Sequence, residues 1–465
     1  MAVAAGWRRI ERRELVALAL LLVFGACLLG RHLARPSLEF DEGVYVGSAD
    51  LLGHGLQLGR DVFSSQPPLF FALLWLGDRL GGGSLTVLHG MTVAIALAGA
   101  LAGWAIVRGI AGPFPALMAV ALVVLAPGVV DAAAVVSADV PSVALGTAAL
   151  LAARAARVRP AWAAAAGALI SCALLVKLLA APFAVALAVA ALVERPSRRQ
   201  LLWFAGGALM VLTAVGIAYA SVLGSLWRDA VGFHLHANGR GIVLPHPPIA
   251  AELALIVTGY AGLIAMLGLG LRRVPRAALA DWARARVDLL ATLGAGLVLI
   301  AVSRPLLHHH LVILAWPLAL LAPSTLPAGT PPRSAAVAAL CGLLLVPWAA
   351  RGRDTVQGAE SRQIAAAAAV VRGATRPGDT VVSDLPLVTL TADRVPAAAT
   401  VDPSAVRVGS GSLDESQIVS AAMRARAAVV GRAFEYLPGL GRQLKRRYAR
   451  VVEVGGIRVY VDPRT

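Results

Sequence analysis

Two adjacent carboxylates, Asp41 and Glu42, begin the stretch that offers the most chemistry in this sequence. They follow an apolar run closely, and Tyr45 and Ser48 come next. Helical spacing puts Asp41, Tyr45 and Ser48 on one face, whereas Glu42 points about 100° away. A carboxylate in this position can accept a proton as a general base. It can equally complement the dipole of a helix that starts there, and one side chain can do both.

Cations that could bind an anion occur in four other segments. They are Arg60, Lys177, Arg304 and His308, the last of which begins a run of three histidines. Lys177 is one of only two lysines and lies between two apolar runs. It could bind an anion, or it could extend its amine to a membrane surface. The histidines could face a site or lie at that surface.

Three further polar residues could shape a site or position an acceptor: Gln66 before a Pro-Pro pair, Asp139, and His234. For Asp139 the alternatives are a helix cap after Ser137 and a functional acid that pairs with a cation or a metal. A divalent metal held by Asp or Glu with His is one option for this chain. No ligand spacing requires it, and we predict no specific metal ligand.

The composition specifies the elements that must carry these residues. Of 465 residues, 58% are apolar and 15% are charged, and the mean hydropathy is +0.76. These values exclude an ordinary soluble globule and a disordered chain. The three cysteines lie inside apolar runs, which excludes a disulfide-stapled secreted domain. The sequence predicts an all-α polytopic membrane protein over residues 1–350.

A window of about 20 apolar residues, the length needed to cross a bilayer, locates the spans. It predicts about eleven, at 14–32, 84–107, 113–130, 136–153, 161–177, 179–194, 200–223, 249–271, 287–303, 306–323 and 334–350. The two spans beside Lys177 could be one bent helix.

Arginine placement predicts the orientation in a cell membrane. The net charge is +16, and the arginine clusters alternate with apolar runs so that one side of the membrane holds most of them. This pattern indicates a cytoplasmic N-terminus and argues against nucleic acid as a partner. It places residues 33–83 in a first outer loop and the C-terminal tail outside.

The tail, residues 351–465, has a different pattern. Helical and strand patterns alternate, which predicts a small C-terminal α/β extracytoplasmic domain. Helices are expected at 363–372, 414–426 and 437–448, with Ser412 capping the second. Strands are expected at 379–383 and 427–431, followed by a closing hairpin of 450–454 with 456–461.

The outer loop resembles a known family. The order Asp41-Glu42-Gly-Val-Tyr45, then Arg60-Asp61, then Gln66-Pro-Pro-Leu is similar to that of the dolichyl-phosphate-mannose:protein mannosyltransferases and the bacterial aminoarabinose-to-lipid-A transferases. The resemblance is strongest over residues 38–75. It implies a multispan fold of the GT-C type, catalysis on the outer face and a polyprenyl-phosphate sugar as donor.

The resemblance also implies roles. Asp41, with Glu42 beside it, matches the acid that deprotonates an acceptor hydroxyl, so that the sugar is transferred with inversion. The acceptor could be a protein, a lipid or a cell-wall glycan, and membrane lipid is a further partner. The aminoarabinose transferases carry a lysine where this chain has Gln66, so another cation must bind the donor phosphate here. The alternatives are a lipid or sugar transporter and a scaffold whose outer domain binds a partner.

Overall fold

The structure is a computed structural model that describes residues 10–33, 40–237, 249–302, 308–326, 342, 345 and 354–462. The chain forms two compact units. The first consists of Met1–His32, His89–Ala218 and Pro247–Gly352. The second consists of Leu33–Leu88, Tyr219–His246 and Arg353–Thr465.

The first unit is a bundle of apolar helices. In chain order, the main helices before the tail are α1 (Arg12–Leu29), α2 (Phe40–Gly53), α3 (Pro68–Gly81), α4 (Leu85–Ala111), α5 (Pro113–Leu125), α6 (Pro127–Ala133), α7 (Asp139–Ala156), α8 (Trp162–Val176), α9 (Ala181–Glu194), α10 (Arg198–Ala218), α11 (Leu223–Trp227), α12 (Phe233–Ala237), α13 (Ile249–Leu271), α14 (Leu279–Arg284), α15 (Val287–Val302) and α16 (Val312–Ser324). Of these, α2, α3, α11 and α12 belong to the second unit.

Small residues allow two helices of the bundle to cross closely. A Cβ atom at Gly167 in α8 would lie 2.0 Å from the carbonyl oxygen of Phe204 in α10. A Cβ atom at Gly207 in α10 would lie 2.0 Å from the carbonyl oxygen of Ala164. Only glycine fits at these two positions, and the two backbones touch, as is common for small residues in membrane helices.

Ten of the eleven predicted spans contain a helix, and the last, 334–350, lies almost wholly outside the described residues. By length and composition, two described helices are able to cross a membrane, Leu85–Ala111 and Arg198–Ala218. The number rises to four if each of two bent pairs counts as one span. The mostly helical membrane fold is confirmed, whereas the number eleven stays a prediction.

The helix pair around Lys177 is broken rather than smoothly bent. The first helix, α8, ends at Val176, and Lys177 is extended with φ −158° and ψ 135°. A short 3₁₀ turn, Leu178–Ala180, then leads into α9. The Lys177 amide still donates to the Ala173 carbonyl at 3.0 Å, so Lys177 is the C-cap of α8 and its extended backbone separates the two helices.

The second unit contains the predicted α/β tail. Its helices are α17 (Asp354–Ala374), α18 (Pro386–Thr391), α19 (Ala405–Gly409), α20 (Glu415–Arg424) and α21 (Pro438–Arg447), and its strands are β1 (Thr380–Ser383), β2 (Val395–Pro396), β3 (Ala427–Val430), β4 (Arg450–Val454) and β5 (Ile457–Val461). The sheet order is β2-β1-β3-β5-β4. Strands β1, β2 and β3 are parallel, and β5 is antiparallel to both β3 and β4.

The sheet has an apolar core on each face. Helix α17 buries Ala367 and Val371 against one face, and α20 and α21 bury Ile418 and Leu444 against the other. The predicted helices, strands and hairpin are therefore present. The predicted Ser412 cap is wrong: Asp414 caps α20 in a capping box with Gln417, because its carboxylate accepts from the Gln417 amide. The predicted boundary between domains at residue 350 stays a prediction.

Helix α2 packs within the second unit on nearly all sides. Residues 42–49 of this helix are all buried. A Cβ atom at Gly43 would lie 2.9 Å from the Leu387 amide nitrogen at the start of α18. At Gly47 it would lie 3.2 Å from Val401. Because these glycines are one turn apart, the tail domain approaches one stripe of α2 closely.

Candidate functional site

The predicted acids lie in the first turn of α2. Glu42 is fully buried and Asp41 is partly buried. Tyr45, one turn after Asp41, is buried, and its hydroxyl accepts a hydrogen bond from Gln66 Nε2 at 3.2 Å. Its ring packs edge-on against Phe70, with centroids 4.9 Å apart. Of the predicted residues, the structure therefore brings Asp41, Glu42, Tyr45 and Gln66 into one neighbourhood.

The segment before Gln66 is fixed by side chains on both sides. Ser64 Oγ donates to the Gln66 carbonyl at 2.6 Å, and the Ser64 amide donates to Asp229 at 3.4 Å. His234 Nε2 lies 2.8 Å from the Ser65 carbonyl oxygen. His234, which was expected to shape an acceptor site, thus contacts this loop through its backbone.

A cation from the tail lies beside the start of α2. The guanidinium carbon of Arg432 lies 4.5 Å from the centre of the Phe40 ring, and Phe40 immediately precedes Asp41. Arg432 sits in the turn after β3, and β3 ends at the same edge of the sheet as the parallel strand β1. Loops after parallel strands commonly form sites at that edge.

Asp384, just after β1, holds this turn in place. Its fully buried carboxylate accepts hydrogen bonds from the backbone amides of Gly431, Arg432 and Phe434 at 2.8 to 2.9 Å. Burial raises the pKa of Asp384 to about 6, although the three amide donors oppose that shift. The side chain thereby links two strand ends and fixes the backbone from which Arg432 extends.

Arg60 lies at the other end of α2. Residues 41 and 53 are about 18 Å apart along the axis at the normal helical rise. Arg60 follows the end of α2, is exposed, and pairs with Asp61 at 3.1 Å. Hydrogen bonds from Arg60 and from the Gln57 amide lower the pKa of Asp61. The role of Arg60 in binding the donor phosphate stays a prediction.

The first unit holds a second group of the predicted residues. Lys177 Nζ donates to Asp139 Oδ1 at 2.9 Å, and both side chains are buried. Lys177 therefore does not extend to a membrane surface. Asp139 is the first residue of α7 and caps no helix amide. The break between α8 and α9 places Lys177 next to Asp139. Asp139 is therefore paired rather than a helix cap, and the Lys177 amine does not extend to a membrane surface.

Two histidines join this pair. In the 3₁₀ turn His308–Leu311, His309 is buried and His310 is partly buried. One ring nitrogen of each histidine and one carboxylate oxygen of Asp139 lie within 4.8 Å of one another. Nitrogen and carboxylate donors in this number suit Zn²⁺ with an open position. The carboxylate, however, already has Lys177 as its cation. The His308 side chain and Arg304 lie outside the described residues.

Several residues of these neighbourhoods were not predicted. Arg432 and Asp384 come together only through the order of the strands, so no local pattern marks them. Arg228 and Asp229 are adjacent charges, and their adjacency in the sequence was an available signal. The buried pair of Glu14 and Arg108, 2.6 Å apart, is a further charged contact inside the bundle.

The chain is similar to a family of membrane glycosyltransferases. Residues 65–220 match the family model described as dolichyl-phosphate-mannose-protein mannosyltransferase, which confirms the predicted resemblance over about a third of the sequence. The match begins next to Gln66 and includes Asp139 and Lys177. No curated protein sequence matches the chain.

Particular solved structures share the fold. ArnT from Cupriavidus metallidurans bound to undecaprenyl phosphate is 16% identical with a TM-score of 0.69, over 95% of this chain and 97% of that one. The Archaeoglobus fulgidus oligosaccharyltransferase in the apo form is 14% identical with a TM-score of 0.59, over 91% and 70%. Arabinofuranosyltransferase AftD from Mycobacteria is 18% identical with a TM-score of 0.50, over 81% and 30%. The predicted GT-C-like fold is confirmed.

Proposed function

We propose that this protein is an inverting glycosyltransferase that moves a sugar from a polyprenyl phosphate to a hydroxyl group on the outer face of the membrane. The observation that carries the proposal is the start of α2: Asp41 lies one turn before the Gln66-bonded Tyr45, and Arg432 lies beside the preceding residue. The fold shared with ArnT, which binds undecaprenyl phosphate, supports a lipid-linked donor.

Asp41 acts as the general base. Its carboxylate accepts the proton of the acceptor hydroxyl while that oxygen forms a bond to the anomeric carbon. The bond between that carbon and the phosphate oxygen breaks, and its electron pair leaves with the polyprenyl phosphate. A single displacement of this kind inverts the anomeric configuration. Glu42 is fully buried beside Asp41 in the first turn of α2, where a carboxylate complements the helix dipole.

The leaving group is a stable anion, so it requires positive charge rather than a strong acid. Arg432 supplies a guanidinium next to the segment that carries Asp41, and a guanidinium suits phosphate geometry. Gln66 brings no charge, and its amide is directed to Tyr45. Lys177, Arg60, Arg304 and His308 remain predicted phosphate-binding residues.

The arginine distribution supports a cytoplasmic N-terminus and an extracytoplasmic tail in a cell membrane. In that orientation α2 and the tail domain, which belong to one compact unit, share the outer side. The acceptor is then a hydroxyl of an envelope protein, lipid or glycan. The mass of the transferred sugar comes from the following experiment.

Mass spectrometry of envelope glycans, lipids and glycoproteins tests this function. Cells with the gene, without it, and with Asp41→Asn or Asp50→Asn are compared. Asp50 lies at the opposite end of α2 and serves as the matched control. We expect one sugar mass to disappear from an envelope component both without the gene and in Asp41→Asn cells, and to persist in Asp50→Asn cells. An unchanged profile, together with lipid translocation by the purified protein, would instead support the transporter.

A further inference from the structure

A cavity of about 590 Å³ with both polar and apolar lining lies in the second unit. Three chain segments line it: residues 59–63, the 225–233 segment and the 398–412 segment of the tail domain. All three belong to the same compact unit. The volume lies within the range of small-ligand pockets.

Arg407 is the buried charge of this cavity. The residue is 7% exposed, and its Nη1 donates to the Asp402 carbonyl at 2.9 Å. Among the residues that the structure describes, its buried Nε has no hydrogen-bond partner. An unsatisfied buried donor is costly, and on a guanidinium the Nε side offers a two-pronged contact to carboxylate or phosphate. Arg407 lines the cavity, and the described part of the protein leaves one donor of its guanidinium unsatisfied.

The other charges leave the cavity positive. Asp61 is paired with Arg60, and the Asp229 carboxylate accepts from the Ser64 amide. Burial raises the pKa of Asp229, whereas the Ser64 amide and the nearby charges of Arg407 and Arg228 act to lower it. Three arginines line the cavity against two aspartates, so the lining as a whole is positive: Arg60, Arg228 and Arg407 against Asp61 and Asp229.

An aromatic surface accompanies these charges. Phe63 and Phe233 meet edge to face with ring centroids 5.4 Å apart, and the Arg407 guanidinium lies 3.9 Å from the centre of the Phe63 ring. Both rings are partly exposed. Apolar ring faces beside guanidinium and carboxylate groups suit a ligand with C–H faces and many hydroxyl groups, which is the chemistry of a sugar ring.

We infer that this cavity binds a saccharide residue bearing a carboxylate or a phosphate, as part of the acceptor that the proposed transferase modifies. The inference rests on the proposed function. The loop geometry supports it, since Phe63 lines the cavity and Gln66, three residues later, bonds to Tyr45. Three residues span at most about 11 Å. A glycan held at Phe63 therefore lies along the loop that leads back towards Asp41.

Saccharide binding to the full-length protein in nanodiscs tests the inference. Glucuronic acid, glucose 6-phosphate, glucose and inorganic phosphate are titrated separately and followed by isothermal titration calorimetry. We expect the two acidic sugars to bind more tightly than glucose and more tightly than inorganic phosphate. Glucose binding as tightly as its 6-phosphate, or inorganic phosphate binding as tightly as the sugar phosphate, would overturn the inference.

Two variants locate the binding. Arg407→Lys keeps the charge but loses the planar guanidinium that can make a bidentate contact. We expect acidic sugars to bind at least about tenfold more weakly. Arg228→Glu, at an exposed position that does not threaten folding, is expected to weaken them about tenfold by reversing the charge. Arg446→Glu, an exposed arginine on α21, is the matched control and should bind normally. Unchanged affinity in both cavity variants would refute the assignment.

The same experiment separates this inference from the proposed function. We expect Asp41→Asn protein to bind the acidic sugars normally while it loses transfer. If the Arg407→Lys or Arg228→Glu protein loses sugar binding but keeps full transfer, only the inference is refuted. Intact cavity binding with full transfer by Asp41→Asn refutes only the proposed function.

Discussion

Asp384 is expected to make the turn that carries Arg432 depend on pH. Its carboxyl group is fully buried, and that burial raises its pKa to about 6 from an ordinary value of 3.8. The folded turn therefore binds this proton more tightly than the opened turn does. Stability is greatest below pH 4 and falls as the pH rises through 6. The difference is about 3 kcal/mol, since one pKa unit corresponds to about 1.36 kcal/mol.

Hydrogen exchange at the turn measures this difference. The amides of Gly431, Arg432 and Phe434 donate to Asp384 and report its opening directly. After correction for intrinsic exchange rates, we expect their protection to fall about 100-fold between pH 4 and pH 7. Asp384→Asn should remove the pH dependence, whereas Asp393→Asn, at an exposed position in the same domain, should retain it. Protection that instead rises with pH would show that the three amide donors outweigh burial, and would refute the reasoning.

Three further predictions concern charges at the candidate sites. Arg432→Gln should reduce transfer at least about tenfold without altering the melting temperature, because a charged contact to phosphate is worth about 1.5–3 kcal/mol; an unchanged rate would remove Arg432 from the site. Lys177→Met should destabilise the protein by about 3–5 kcal/mol in thermal unfolding, because it leaves Asp139 buried and unpaired. The double variant with Asp139→Asn should recover much of that loss, and no recovery would contradict the pairing. Because Lys177 already neutralises Asp139, transfer should continue with a chelator present; an activity lost to chelation and restored by Zn²⁺ would assign a metal to Asp139, His309 and His310.

The sequence predicted the elements well because their patterns are local. Apolar runs predicted ten helices of the bundle, and alternating patterns predicted the tail hairpin and its helices within a few residues. Helix α17 is longer than predicted because its first turns are polar and carry no apolar period. The cap of α20 was assigned two residues early because both Ser412 and Asp414 can cap, and only the backbone geometry distinguishes them.

The site was predictable only in part, because its partners come from distant segments. Asp41, Tyr45 and Gln66 come from one stretch of sequence, the predicted loop 33–83, and the structure brings them into one neighbourhood. Arg432 and Asp384 are about 50 residues apart in the chain and meet because β1 pairs with β3. Arg407 reaches Phe63 across more than 300 residues. Such pairings depend on strand order and helix docking, which a single sequence does not specify.

The rate of sugar transfer by purified Asp41→Asn protein tests the central claim most directly. The donor is the polyprenyl-phosphate sugar identified from envelope mass spectrometry, and Asp50→Asn protein is assayed in parallel. We predict a rate about 10²- to 10⁴-fold below wild type for Asp41→Asn, an unchanged melting temperature, a normal rate for Asp50→Asn, and wild-type product of inverted anomeric configuration by NMR. A near-normal rate in folded Asp41→Asn protein, or a product of retained configuration, would contradict the account.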